Sequence, residues 1–214
     1  MSGFLISFEG GDACGKSTQL KLFTKFLEEN GYDYICSREP GGTPLGEEVR
    51  EILLHSKQNL SPKTEFLLFS ACRNSLIENV VLPALKQNKI VVLDRYYDSS
   101  FAYQGYAGNL ELKDLKNITD FAISGAEPNL TILLDISYDE AMKRKQKDQN
   151  LKNLDRIEKK PKSFHEKVRN GYLTLAKQNK RIKVVDAKKS AEDVFNEIKN
   201  LFLESYKKAK NKEK

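Results

Sequence analysis

The sequence predicts an α/β fold in which a parallel five-stranded sheet is flanked by helices in three layers, and three observations predict it. Apolar runs of strand length recur along the chain, each followed by a segment of helical period, which is the pattern of βα units. The first such junction carries Gly10-Gly11-Asp12-Ala13-Cys14-Gly15-Lys16-Ser17, a full G-x-x-x-x-G-K-S match between a strand and a helix. The 214 residues are 39% hydrophobic, enough for one well-buried core, and contain neither an internal repeat nor a Gly/Ser linker; residues 1–214 are therefore read as a single domain.

In chain order the predicted strands are Phe4–Glu9, Tyr32–Ser37, Ile90–Asp94, Thr131–Asp135 and Lys183–Asp186. After the first, Leu20, Phe23, Phe26 and Leu27 form one stripe between Ser17 and Asn30, and Asn30-Gly31 is a helix C-terminal signal. A longer apolar stripe runs from Phe66 to Leu85, with Pro62 near its start and Pro83 expected to kink or end it. Residues 111–124 and 191–206 give two further amphipathic stripes. Residues 143–163 break the pattern, because more than half are charged and they can bury little. They read either as an exposed helix and loop or as a mobile lid closing basic side chains over phosphates.

The net charge of +6 is concentrated at one end. Residues 205–214 hold five lysines and one glutamate, and the rest of the chain carries 31 basic and 29 acidic residues. This tail is expected to be solvated and frayed, and the nearly neutral body argues against a nucleic-acid partner. Three cysteines without short paired spacing suggest neither a disulfide framework nor a thiolate cage. The N-terminal run has no signal-peptide pattern and no membrane span, so the expected location is cytoplasmic.

The glycine-rich segment has a definite chemistry. Its backbone N–H groups and the helix start supply oriented donors to a β-phosphate. Lys16 reaches β and γ oxygens, and the Ser17 hydroxyl can complete a Mg²⁺ shell otherwise made of phosphates and water. Gly10 through Thr18 are thus the expected ATP-binding residues of a P-loop NTPase fold. Cys14 is read as a small filler, and a positive φ at Ala13 would cost alanine about 1 kcal/mol. A P-loop alone leaves kinases, GTPase switches, motor ATPases and translocases open.

Two strand ends add charged groups where open α/β sheets bind ligands. Asp94, closing Ile90-Val91-Val92-Leu93, can orient Mg²⁺-bound water, and Arg95 can span two phosphates that would otherwise repel. Arg38 opens the tight loop Arg38-Glu39-Pro40-Gly41-Gly42-Thr43, as a phosphate-binding group or as a surface arginine paired with Glu39.

Five blocks in order resemble the thymidylate kinase family over nearly the whole chain: Phe8-Glu9-Gly10-Gly11-Asp12, residues 38–43, Phe69 to Arg73, Asp94 to Gln104, and Asp155 to Glu158. The resemblance implies transfer of phosphate from ATP to dTMP with Mg²⁺ as cofactor, in dTTP biosynthesis. It implies Phe69 stacking on thymine, Arg73 bonding O4, Ser99, Ser100 and Gln104 near the base, Tyr103 under the sugar, Asp12 facing the 3′-hydroxyl, and Arg38 and Arg95 holding the acceptor phosphate. Lys16, Arg95, Asp94, Asp12 and a lid cation would be catalytic, with Ser17 and Asp94 serving the metal. The lid, about 143–160, must supply that cation because Gly11 to Cys14 include no base; Arg144, Lys145, Lys147, Lys152 and Arg156 are candidates, Arg156 aligning best. The resemblance also implies a homodimer, for which the stripe 66–85 is a candidate face. Two features depart from the family: Ala13 replaces a usual glycine, and residues 145–154 are rich in Lys, Gln and Asn where arginines are common.

Overall fold

The computed structural model describes residues 3–147 and 155–212. Five strands, β1 (Phe4–Glu9), β2 (Tyr34–Arg38), β3 (Ile90–Asp94), β4 (Leu130–Asp135) and β5 (Ile182–Asp186), form one parallel sheet in the order β2-β3-β1-β4-β5. Phe8 pairs with Asp94, and Asp94 with Arg38, so the ends of the three strands that precede polar loops lie in one row.

The helices are α1 (Lys16–Glu29), α2 (Pro44–His55), α3 (Pro62–Leu76), α4 (Leu82–Lys86), α5 (Tyr97–Ser100), α6 (Leu112–Ile123), α7 (Tyr138–Lys147), α8 (Lys162–Gln178) and α9 (Ala191–Lys212). Local chemistry starts two of them: the Thr43 hydroxyl accepts from Gly46 N and the Ser61 hydroxyl from Thr64 N, each with proline in the first turn. Alternation along β1 divides the core. Phe4, Ile6 and Phe8 face α1 and α9, whereas Leu5 joins Val91, Leu93, Leu76 and Val81 on the other side. A third cluster joins α8 to the segment around Tyr103 through Val168, Tyr172 and Leu133.

The predicted strands recur with small shifts. β2 begins at Tyr34 instead of Tyr32, because Gly31 takes φ 70°, Tyr32 N bonds Leu27 O, and the Tyr32 ring packs beside Phe26 and Phe202. β4 and β5 each begin one residue earlier than expected. The stripe 66–85 is α3, a π-helical turn Ile77–Val81, and α4; the wider turn lies directly before Pro83, whose missing N–H is tolerated in the first turn of α4. A second π-helical segment, Phe101–Ala107, continues α5. Helices α2, α7 and α8 have no counterpart in the periodicity reading.

The lysine-rich terminus corrects the sequence reading. Through Lys212 it is not frayed: α9 continues to that residue, anchored by the fully buried Phe202, which meets Phe4, Phe23 and Tyr206 at ring separations of 5.6, 5.1 and 5.3 Å, and residues 213 and 214 lie outside the described residues. Lys208 pairs with Glu204, and Lys210 Nζ donates to Asn88 Oδ1. Lys207 and Lys208 are exposed on the outer face of a docked helix. Most of the Phe66–Leu85 stripe packs inside the chain, with Phe66, Leu76, Ile77, Val81 and Leu85 all buried, whereas Leu67 stays exposed.

Phe202→Ala is expected to cost about 3–5 kcal/mol in urea unfolding, the range for a fully buried phenylalanine, because the ring joins α9 to both α1 and β1. A loss below 1 kcal/mol would mean that α9 is not docked as described.

Candidate active site

The P-loop begins where β1 ends. Gly10 takes φ 139°, and a Cβ there would come within 2.5 Å of Leu134 O; Gly15 takes φ 101° ahead of α1. Ala13 has φ 56°, so alanine bears the left-handed strain anticipated for it. Lys16 Nζ donates to Gly10 O at 3.2 Å and Gly11 O at 3.1 Å, which sets its ammonium across the loop. The Cys14 side chain is buried in the core beneath, in keeping with a filler.

Arg95 lies beside this loop. Its own backbone is left-handed, φ 65°, with its N–H on Phe8 O. Its guanidinium donates to Gly10 O at 3.0 Å and to Asp12 Oδ1 at 2.7 Å, and stands over the Tyr103 ring at 5.3 Å. Burial alone would raise the Asp12 pKa, but Arg95, Lys16, His165 and Lys145 outweigh it and hold the carboxyl below its usual range.

Beneath Arg95 is a carboxylate that the sequence reading did not single out. Glu9 is fully buried; its Oε1 accepts Tyr96 N at 2.7 Å, and its Oε2 accepts Ser99 Oγ at 2.6 Å and Tyr172 Oη at 2.8 Å. Ser99 and Tyr172 in turn receive longer bonds from Arg95, 3.4 and 3.3 Å. Burial, reinforced by Asp98, pushes Glu9 up to about 7.

A second group of side chains reaches the cavity from α3 and α5. Arg73 is 1% exposed, with Nε and Nη2 on the Glu39 carboxylate and Nη2 also on Ser100 Oγ at 3.0 Å. Burial alone would lower the Arg73 pKa, and Glu39 reverses this. Its remaining nitrogen, Nη1, is buried without a partner among the described residues. Phe69, one turn earlier, lines the cavity and also packs against two core clusters. Glu39 belongs to Arg73; the exposed Arg38 pairs instead with Glu47 at 2.8 Å, which corrects the Glu39 partner considered for it.

One cavity of about 560 Å³ joins these parts. Among the expected residues its walls include Asp12, Ala13, Gly15, Lys16, Ser17, Thr18, Arg38, Phe69, Arg73, Asp94, Arg95, Ser99, Ser100, Tyr103 and Gln104. Gly10 and Gly11 border a smaller neighbouring cavity, and Cys14 borders neither. Arg156 does not line the cavity either: its guanidinium donates to Leu53 O and, at 2.6 Å, to Glu65. Arg144 of α7 does line it, with Nη1 3.4 Å from Cys14 O and Nη2 donating to Ala187 O. Lys145 is buried on Glu158 at 2.8 Å. In its described part the charged stretch is therefore less solvated than its composition suggested, and Ile157 enters a core cluster; residues 148–154 lie outside the described residues. The Lys147 side chain and Lys152 lie outside the described residues.

Arg50, Tyr172, Glu65 and Arg144 complete these contacts and went unrecognised or unranked in the sequence, although Arg144 was among the lid candidates. Arg50, on the α2 turn after Gly46, lines the cavity and donates to Pro40 O. Burial first, and then Arg38, lower its pKa, as expected of two cations facing one space. Among the described residues no group of three or more His, Cys, Asp or Glu could hold a metal, and no helix is long and apolar enough to cross a membrane.

A parallel sheet with a phosphate loop after its central strand and a shared cavity at the strand ends defines a P-loop nucleotide-binding protein. Comparison with known proteins narrows this: the family model for thymidylate kinase matches residues 8–198, and the chain belongs to that family. It is 45% identical over 204 residues to the thymidylate kinase of Kosmotoga olearia, covering 95% of this chain and 97% of that one. It is 48% identical over 177 residues to that of Caldanaerobacter subterraneus, covering 83% of each. The solved thymidylate kinase of Ehrlichia chaffeensis superposes with a TM-score of 0.76 at 30% identity, over 95% of this chain and 99% of that one.

Because Glu9 has its folded pKa raised above the unfolded value near 4.5, the native state holds its proton between pH 4.5 and 7 while the unfolded chain does not. The stability that this protonation provides is complete below 4.5 and is lost as pH rises through 7. Glu9→Gln cannot ionise and escapes the loss. Its stability relative to wild type is therefore expected to rise by about 3 kcal/mol between pH 4.5 and 7.5 in paired urea titrations. A difference independent of pH would show that Glu9 titrates normally.

Proposed function

We propose that the protein transfers the γ-phosphate of ATP to dTMP, giving ADP and dTDP. The observation that carries this reading is the single cavity lined both by Lys16 and its P-loop neighbours and by Phe69 and Arg73, whose Nη1 has no partner among the described residues. The first pair suits a triphosphate and the second a flat base with a keto oxygen.

The roles we assign follow from charge and position. A nucleoside monophosphate is mostly dianionic at neutral pH, so the acceptor needs no general base. Arg38 and Arg50 would hold its phosphate, and Arg95 would release Asp12 to span donor and acceptor as they align. Asp12 would then face the 3′-hydroxyl. Tyr103, packed beside Arg95, would exclude a 2′-hydroxyl, while Ser99 and Ser100 would fix the neighbouring arginines. Lys16 would stabilise charge growing on the transferring group. Arg144, already over the P-loop, is the lid cation we favour; Arg156 is engaged by Glu65.

Magnesium fits the residues present. Among the described residues Asp94 Oδ1 is buried without a hydrogen-bond partner, and Ser17 is an exposed residue lining the cavity. Ser17 would ligate the ion directly and Asp94 would orient its water. When bound, such an ion would neutralise negative charge on the donor phosphates. A homodimer belongs to the same proposal, with Phe121 of α6, 85% exposed, and Leu67 of the adjoining α3 as its apolar face.

The test is ADP production by the purified protein with Mg-ATP and a panel of monophosphates. Turnover is expected with dTMP, and with dUMP at about 10–200-fold lower kcat/KM, the worth of one methyl in a pocket. Activity on AMP or GMP with none on dTMP would overturn the assignment.

A further inference from the structure

Glu65 sits in the first turn of α3 with a side chain that is 1% exposed, a costly position for a carboxylate unless it is fully bonded. It is fully bonded. Oε1 accepts Arg156 Nη1 at 2.6 Å and Lys160 Nζ at 3.3 Å, and Oε2 accepts Gln104 Nε2 at 3.0 Å. Glu65, Phe69 and Arg73 are spaced by four on α3 and so share one face, while Ser100 and Gln104 are four apart on the facing segment. Two rungs join these elements, Arg73 to Ser100 and Glu65 to Gln104, and Phe69 lies between them along α3.

The lower rung settles the orientation of an amide. Glu65 Oε1 takes charge-assisted bonds from two cations, and Oε2 meets Gln104 as an acceptor, so Gln104 must turn its NH₂ toward it. Gln104 lines the cavity, and no group among the described residues donates to its carbonyl oxygen. Two residues that line the cavity therefore carry, among the described residues, a donor without a partner, Arg73 Nη1, and an acceptor without one, Gln104 Oε1. A pyrimidine with an imide edge offers the complement, a keto oxygen beside an N–H. Cytosine offers an amino group beside a bare ring nitrogen, opposite on both counts.

We propose that Glu65 is a specificity-determining positioning residue: by fixing the Gln104 amide it selects imide pyrimidines against cytosine, without itself touching the base. This rests on the dTMP kinase reading and adds to it the residue that sets base choice. Arg156 and Lys160 act through Glu65, holding its carboxylate in place.

The test compares wild type, Glu65→Gln and Glu65→Asp with dTMP and dCMP as acceptors, with kcat and KM resolved. Glutamine at 65 can offer Gln104 either a donor or an acceptor, so the amide is free to turn. In that variant the dTMP to dCMP ratio of kcat/KM is expected to fall about 10-fold or more, chiefly through KM, because a buried polar mismatch is relieved for cytosine. Aspartate remains acceptor-only and is expected to keep the ratio while lowering activity. Equal losses on both acceptors, or dCMP turnover still undetectable in Glu65→Gln, would overturn the proposal. Should that variant fail to fold, hydrogen exchange of the Gln104 side-chain NH₂ in the wild-type protein decides. Protection before and after dTMP addition supports the orientation, and rapid exchange without nucleotide contradicts it. No dTMP turnover by wild type would count instead against the function itself, whereas amide protection is measurable without turnover.

Discussion

The register of three parallel strands is the constraint on which the site depends. Phe8, Asp94 and Arg38 are cross-strand partners, so the loops that follow them leave the sheet side by side. Backbone bonds extend the alignment beyond the strands: Arg95 N donates to Phe8 O, and Glu39 N donates to Asp94 O, both at 2.9 Å. A slip of one residue in β3 would turn Asp94 to the other face and carry Arg95 away from the P-loop. The phosphate loop, the Arg95 turn and the Glu39 loop are thus placed by the same ladder that builds the core.

That placement crowds charge into a poorly solvated space, and the structure answers with paired groups. Glu39 holds Arg73, Asp98 holds Arg181, and Glu65 holds Arg156, each with at least one partner nearly fully buried. Buried ion pairs of this kind contribute little net stability once desolvation is counted, although losing one partner is costly. Their effect here is geometric: each guanidinium or carboxylate has one low-energy position. Arg73 shows the result, with two nitrogens engaged and the third, Nη1, left without a partner among the described residues.

How much was legible in the sequence depended on whether a feature was local. The P-loop was readable because glycine backbone freedom, the lysine and the serine all lie within eight residues, and the strands were located to within two residues by their apolar runs. Side-chain pairing across the chain was not readable. Glu65 meets Gln104 and Arg156 at separations of 39 and 91 residues, and Glu9 meets Tyr172 at 163. Charge composition misled twice for one reason. In α9 and around Lys145, lysines occur beside residues whose burial is set by distant partners, Phe4 and Phe23 for Phe202, and Glu158 for Lys145. The family resemblance supplied Phe69, Arg73 and Gln104; periodicity alone would have left Phe69 in the core stripe.

The central claim is that the phosphate cradle and the base pocket open into one space. The most direct measurement is calorimetric binding of adenosine and thymidine joined 5′ to 5′ through a polyphosphate bridge. A molecule that occupies both ends of one cavity avoids a second association cost, so it should bind at least about 10²-fold more tightly than ATP or dTMP alone. Affinity no greater than that of ATP, with dTMP still able to bind alongside, would place the two ligands in separate sites and contradict the account.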